Sequence, residues 1–456
     1  MVLYLVIFAL LAGLVSFILL FALSGRARPK HPLWRICALV LLILSGVGFV
    51  TGIRQAVSSC AQGRYTNVST PLAPSTTLFS GQDSPTRVTA LNARDGALRW
   101  QHNLAPGDMS GTGQLTVSHD VVYVLGQEST SSQQLTTLTN GGLTAYRARD
   151  GRLLWHASLP GSTSSSLFEI NEAPLLADGM VYVGATASPD QSLGKIYAFH
   201  MTDGTLGWSV QVTPYPYNQQ NRSLAAGSGL LFLSTFAGGI GHVMAFRAQD
   251  GHQVWQAGVG SMRPILSHGI LYLSNENSVQ ALRASDGKTL WAHPLETNRL
   301  ASLDPTGQRM YIGVHTLTTN GGEQEYLYAL NALNGTLLWK YRVTNLSFTG
   351  VAVEADGVVY FPANTSLYAV HVQNGRLLWQ HKASLNAGFG TPVVVQHIIF
   401  VQSQIIFPHI GIVCPGEYEP SNALFALSAT DGSLYWRSPP NAMGGTWATS
   451  LPLQVA

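Results

Sequence analysis

Three arginines, Arg222, Arg263 and Arg299, recur at nearly regular intervals, and Glu172, Phe389 and Trp447 fall at matching places in the same periodic pattern. Guanidinium groups and aromatic faces so arranged could hold an anionic or planar ligand. The same six residues could equally satisfy one another at a rim. The cysteines offer less: Cys37, Cys60 and Cys414 show neither CxxC nor Cys/His zinc spacing, and no CxxCH for haem occurs. Cys60 and Cys414 could pair in an oxidising compartment or stand as two free thiols. There is no HExxH, glycine-rich phosphate loop or GxSxG.

The acids and histidines divide by position. Nine of the 23 acids stand in turns: six in Asp-Gly pairs followed by tryptophan, and Asp120, Asp178 and Asp356 in shorter turns. Structural turn chemistry is their expected role. His102, His156, His293 and His381 follow a tryptophan by one or two residues, which predicts a solvated rim rather than a metal site.

The elements that must position all these residues are set by a repeat. Trp100, Trp155, Trp208, Trp255, Trp291, Trp339, Trp379 and Trp436 each follow a glycine by four residues, that glycine follows Asp or Asn, and an alanine stands five residues before the acid or amide. Asp-Gly and Asn-Gly favour hairpins, because glycine takes positive φ without a steric cost and the preceding side chain bonds nearby backbone. The pattern predicts a small alanine on one strand opposite a tryptophan on the next. A looser signature between the tryptophans, as in "DVVYVLG" and "DGVVYFPA", predicts a further strand pair. Each unit is therefore a four-stranded blade with strands A to D. Only seven A/B pairs accompany eight C/D pairs, so the C-terminal segment is expected to complete the first blade, closing an eight-bladed ring that leaves no open edge.

The stretch "LYALNALNGTLLW" and its relatives resemble the pyrroloquinoline-quinone (PQQ) repeat with its tryptophan-docking motif, over residues 76–456. The resemblance implies an all-β, eight-bladed propeller of the quinoprotein alcohol dehydrogenase-like family, with tryptophans packed between blades. That family holds quinone-dependent dehydrogenases and non-enzymatic, BamB-like scaffolds, so fold does not settle function. Many of the dehydrogenases carry adjacent cysteines and a calcium site of Glu, Asn and Asp; this chain has no adjacent cysteines and no acidic cluster that maps onto that site. The resemblance is nearest to the BamB-like branch, with no catalytic, cofactor or metal residue assigned.

Residues 2–23 and 36–53 are apolar runs without a charged residue, each long enough to cross a hydrocarbon core of about 30 Å. Residues 1–53 are thus expected to form a transmembrane helical hairpin, with 54–75 as a linker. Arg26, Arg28, Lys30 and Arg35 lie between the runs, which predicts a cytoplasmic loop and an extracytoplasmic propeller, multi-pass in the cell membrane. A cleaved signal peptide and lipidation at Cys60 are the competing readings. All 23 acids follow Cys60, against 20 of the 25 Lys and Arg, so the large domain is slightly acidic and no nucleic-acid partner is expected.

Long insertions, among them "GQESTSSQQLTTLTNGG" and "QSQIIFPHIGIVCPGEYEPSN", all fall on the B/C and D-to-A connections. Length variation confined to one end marks a binding face, although drift of unselected loops would look similar. The linker should enter at the opposite, tight-turn end. The expected function is a membrane-anchored scaffold that binds an unknown protein partner through its long-loop face, with no cofactor. The alternatives are a PQQ-dependent oxidoreductase, using PQQ with Ca2+ at a divergent site, and a ligand-sensing module.

Overall fold

The computed structural model describes the chain from residue 68 to 455, apart from 84–85, 104–114, 126–141, 160–172, 187–193, 213–220, 238–239, 261–263, 276–277, 296, 305, 318–321, 344–347, 384–386, 406–422 and 439–453. Its strands form eight antiparallel meanders. Blade 6 is representative: Thr297–Leu303, Arg309–Leu317, Glu323–Asn331 and Leu337–Val343 follow in order from strand A to strand D. In blade 8 strand A is split, with Ala387–Phe389 and Val393–Val395 both pairing with Ile398–Ile405. In blade 1 the C-terminal strand Gln454–Val455 pairs with Thr77–Asp83, as the strand count predicts.

The predicted alanine–tryptophan register holds in every blade, from Ala90 opposite Trp100 to Ala426 opposite Trp436. Directly after each alanine the ladder shifts by one residue, a bulge in the outer strand. Strands B and C pack on both faces and read as near-continuous apolar runs, such as the buried stretch Val122–Leu125. Outer strands alternate instead, as in Leu377–Lys382, because only their inner face meets a neighbour.

The core is divided among the seams. Eight apolar clusters are found among the described residues, each built from two adjacent blades. One joins Leu78, Leu91 and Ala93 of blade 1 to Phe400, Leu424 and Trp436 of blade 8, so the ring is closed by packing as well as by strand pairing.

Two kinds of turn share the Asp-Gly dipeptide. At the A/B turns Asp178-Gly179 and Asp356-Gly357 both residues have positive φ, as a two-residue hairpin requires. The C/D turns differ from that expectation, since five residues separate the strands. There the glycine amide donates to the carbonyl four residues back, as Gly204 does to His200 at 3.0 Å, and the glycine alone has positive φ. The Asp or Asn Oδ1 accepts the amide two residues on in all eight turns, for example from Thr205 to Asp203 at 3.0 Å and from Thr336 to Asn334 at 3.1 Å. That bond holds the carboxyl groups of Asp203, Asp250, Asp286 and Asp431 below the usual range.

The chain enters at the tight-turn end. Val68 donates to the Tyr435 carbonyl at 2.6 Å, Thr70 donates to the Arg94 carbonyl at 2.7 Å, and Leu72 is buried in the blade 8/blade 1 seam. Among the described residues no helix is long and apolar enough to cross a membrane. The spans expected at 2–23 and 36–53, Cys37, Cys60 and Cys414 all lie outside the described residues.

Candidate functional site

The eight tryptophans join blades in sequence around the ring. Each indole lies over the turn glycine of the next blade: Trp155 over Gly204, Trp291 over Gly335, and Trp436 over Gly96. Each Nε1–H also donates to a backbone carbonyl of that turn, from 2.8 Å for Trp100 to Ala148 up to 3.2 Å for Trp436 to Ala93. The ring's polar atom is thereby satisfied while its faces stay apolar. Alanine is small opposite tryptophan as expected, and the indole packs between blades, over the turn of the following one, as the resemblance implies. The acceptor stands three residues after the repeat alanine and is itself alanine in six blades, a signal in plain view in the sequence.

A strand-B aromatic backs each indole, as Tyr360 backs Trp379 with ring centroids 5.9 Å apart. Burial raises the phenols of Tyr182, Tyr197 and Tyr360 to about 12. Two histidines read as solvated rim prove to be seam residues. His102 stacks on Tyr146 at 4.5 Å and donates from Nε2 to the Gly151 carbonyl at 2.7 Å, and His381 donates from Nδ1 to the Gly432 carbonyl at 2.8 Å. Burial lowers the pKa of His381 and of His156. The next blade covers what a single outer strand would expose.

The six positions of the expected ligand ring are placed unequally. Glu172, Arg263 and Trp447 lie outside the described residues. Arg222 stands on strand A of blade 4 opposite Thr235, and Arg299 lies at the irregularity between Asn298 and Ala301 on strand A of blade 6. Both are on innermost strands near the end that carries the long connections. Phe389 is fully buried, edge-on to Phe425 at 5.5 Å and against His381 at 5.8 Å. Its ring belongs to the seam between blades 7 and 8.

Blade 6 holds two charged groupings that the repeat does not require. Arg309 bridges Asp304 at 3.7 Å and Glu354 of blade 7 at 3.6 Å, and Tyr311 donates to the same Glu354. Burial, reinforced by Glu354, raises the Tyr311 phenol. Nearer the long-connection end, His315 Nδ1 lies 3.6 Å from Glu325 Oε1, and that carboxylate is buried. Among the described residues no group of three or more His, Cys, Asp or Glu could hold a metal ion. Among these acids Glu354 and Asp304 are engaged by Arg309, Glu325 faces His315, and the capping acids occupy the tight-turn end.

The two ends of the ring differ in chain length. A/B and C/D connections are short throughout. B/C connections run from two residues at 276–277 to the long stretches between Leu125 and Gly142 and between Ile405 and Leu424.

A family profile described as outer membrane protein assembly factor BamB matches residues 84–264 and 239–405. BamB of Yersinia pestis is 24% identical over 287 residues, covering 61% of this chain and 65% of that protein. Tetrathionate hydrolase of Acidithiobacillus ferrooxidans is 21% identical over 347 residues, covering 68% of this chain and 58% of that protein. The chain thus spans less than two thirds of the length of either relative. The solved structure of a europium-containing methanol dehydrogenase superposes with a TM-score of 0.55 at 14% identity, over 73% of this chain and 81% of that one, a likeness of fold alone.

Proposed function

The chain belongs to the family described as outer membrane protein assembly factor BamB, and from that premise we propose that it is a membrane-anchored, extracytoplasmic scaffold that binds a protein partner through its long-connection face. The observation that carries this reading is the asymmetry of the ring. One end is built of short capped turns repeated blade after blade, while the other bears connections of very unequal length. A propeller supplies a rigid platform, and loops that vary on a fixed platform are where recognition is built. Anchoring rests on the two apolar runs of the first 53 residues, and the extracytoplasmic side rests on the basic loop between them.

A photo-crosslinking residue placed at Gln191 or Gln324 of the full chain should trap a protein from the host envelope, whereas one at Asn374 or Asp286 should not. Equal trapping from both ends would remove the face assignment. Saturable binding of PQQ with Ca2+ by the full chain, together with no trapping from the loop face, would replace the scaffold by an oxidoreductase.

A further inference from the structure

The seam that closes the ring is polar at one level. Strand alternation sets which side chains face it. Leu78 and Leu91 of blade 1 pack there with Phe400 and Trp436 of blade 8. Ser80 and Thr89 pair with each other across strands B and C, each two residues from one of those leucines, so they face the same seam. Gln402 and Ser438 stand two residues beyond Phe400 and Trp436 and face it from blade 8. All four polar residues are at most 3% exposed.

The other seams are built differently. In blades 2 to 8 the residue after the strand-B aromatic is Val, Leu, Ile or Phe, always within an apolar cluster, as with Val183 and Ile312; in blade 1 it is Ser80. The next position is Gly, Ser, Pro or Leu in blades 1 to 7, whereas blade 8 places the long amide of Gln402 there. A hydroxyl pair thus meets an amide at a height where neighbouring seams interlock apolar side chains.

The bonding of the four is incomplete. Ser438 Oγ accepts the Leu424 amide at 3.0 Å, and Ser80 Oγ reaches only the carbonyl of its neighbour Gly81 at 3.3 Å. Thr89 Oγ1 and Gln402 Oε1 have no partner in the protein. Buried oxygens of this kind are almost always bonded, to ordered water where the protein offers no partner. Thr89 brings a donor and Gln402 an acceptor, and the two serine hydroxyls complete the roughly two to four partners that a buried water takes. Leu78, Leu91, Phe400 and Leu424, each at most 4% exposed, enclose the level, so the smallest polar ligand is the one that fits.

We propose that the blade 8/blade 1 seam binds a buried water that bridges Thr89 to Gln402, with Ser80 and Ser438 as its further contacts. The junction between the two ends of the chain is then joined at this level by a bridge that can rearrange its bonds, not by interdigitated apolar groups.

Synchrotron hydroxyl-radical footprinting of the full chain reads such a water, because radiolysis of an ordered water oxidises the side chains beside it. Leu424 and Leu367 hold the same place on strand C of blades 8 and 7, and both are fully buried. Leu424 should be oxidised several-fold faster than Leu367, and Thr89→Val combined with Gln402→Leu should lower it to the Leu367 rate. Equal rates in the native chain overturn the site without recourse to a variant. A Leu424 rate that the double variant leaves unchanged overturns the assignment to these two groups. In thermal denaturation each single variant should lower the Tm, since it strands the other polar group, and the double variant should fall no further than the lower single one. Additive losses overturn the bridge.

Discussion

The indole of Trp436 donates to the carbonyl of Ala93 at 3.2 Å across 343 residues of sequence, and its ring lies over Gly96. One side chain from the last blade thus makes at the seam with the first the contact that every other blade makes with its successor. Trp436 is fully buried, whereas Trp155 and Trp255 are only partly buried. Trp436→Ala should cost about 3–5 kcal/mol and more than Trp255→Ala, measured as the shift of the urea midpoint of the full chain. Equal shifts would mean that closure adds nothing to an ordinary seam.

The segment Val68–Thr76 spans the same seam, and Leu72 is its buried anchor. Among the described residues Leu78 and Phe79 of the first blade pair with the C-terminal strand, and the entering segment packs across the same seam. Leu72→Ala should destabilise by about 2–4 kcal/mol. It should also speed proteolytic cleavage in blade 1 ahead of blades 3 to 5, whereas uniform cleavage would show that the segment is not a closure element.

Blade 3 contains two positive-φ glycines with different surroundings. A Cβ on Gly204 would stand 2.4 Å from the ring of Trp155, while one on Gly179 would meet nothing within 4 Å. Both substitutions to alanine carry a left-handed backbone penalty of about 1 kcal/mol, and Gly204→Ala adds an overpacked seam of about 1–3 kcal/mol. Thermal denaturation should rank Gly204→Ala well below Gly179→Ala, and similar values would show that the seam opens freely.

His381 is neutral in its seam because burial lowers its pKa, an effect that outweighs its bond to Gly432. The unfolded chain therefore takes up the proton first as pH falls. Stability should be full above about pH 6.5, decline as pH drops through that value, and lose nothing further from this group once below the depressed folded pKa. His381→Gln should flatten the urea-midpoint change between about pH 8 and about pH 5. An unchanged slope would assign the acid sensitivity to other groups, His156 among them. Asp203, Asp250, Asp286 and Asp431 titrate below that window, their folded pKa values being lowered by the turn hydrogen bonds, and lose their contribution only in stronger acid.

Much of the architecture could be read without coordinates because it is local and repeated. Asp203 caps its own turn, Ala198 pairs with Trp208 within one hairpin, and both relations fall within a dozen residues. The Asp-Gly pair alone did not distinguish a two-residue hairpin at 178–179 from a five-residue turn at 201–205, since the glycine has positive φ in both. One position of the expected ligand ring was less legible: Phe389 shares the register of strand-opening positions, yet its ring is buried against Phe425 of its own blade and His381 of the preceding one.

The repeat by itself determined the number of blades, the order of their strands and the need for the last segment to complete the first blade. Period and pairing are properties of neighbouring residues, and an unpaired strand count admits few solutions. Only the tertiary structure decided that each tryptophan rests on the following blade's glycine, that His102 and His381 lock a neighbour's turn, and that Leu337 and Leu338 are left outside. Those outcomes depend on what an adjacent blade covers, and coverage is set by packing between segments that are distant in the chain.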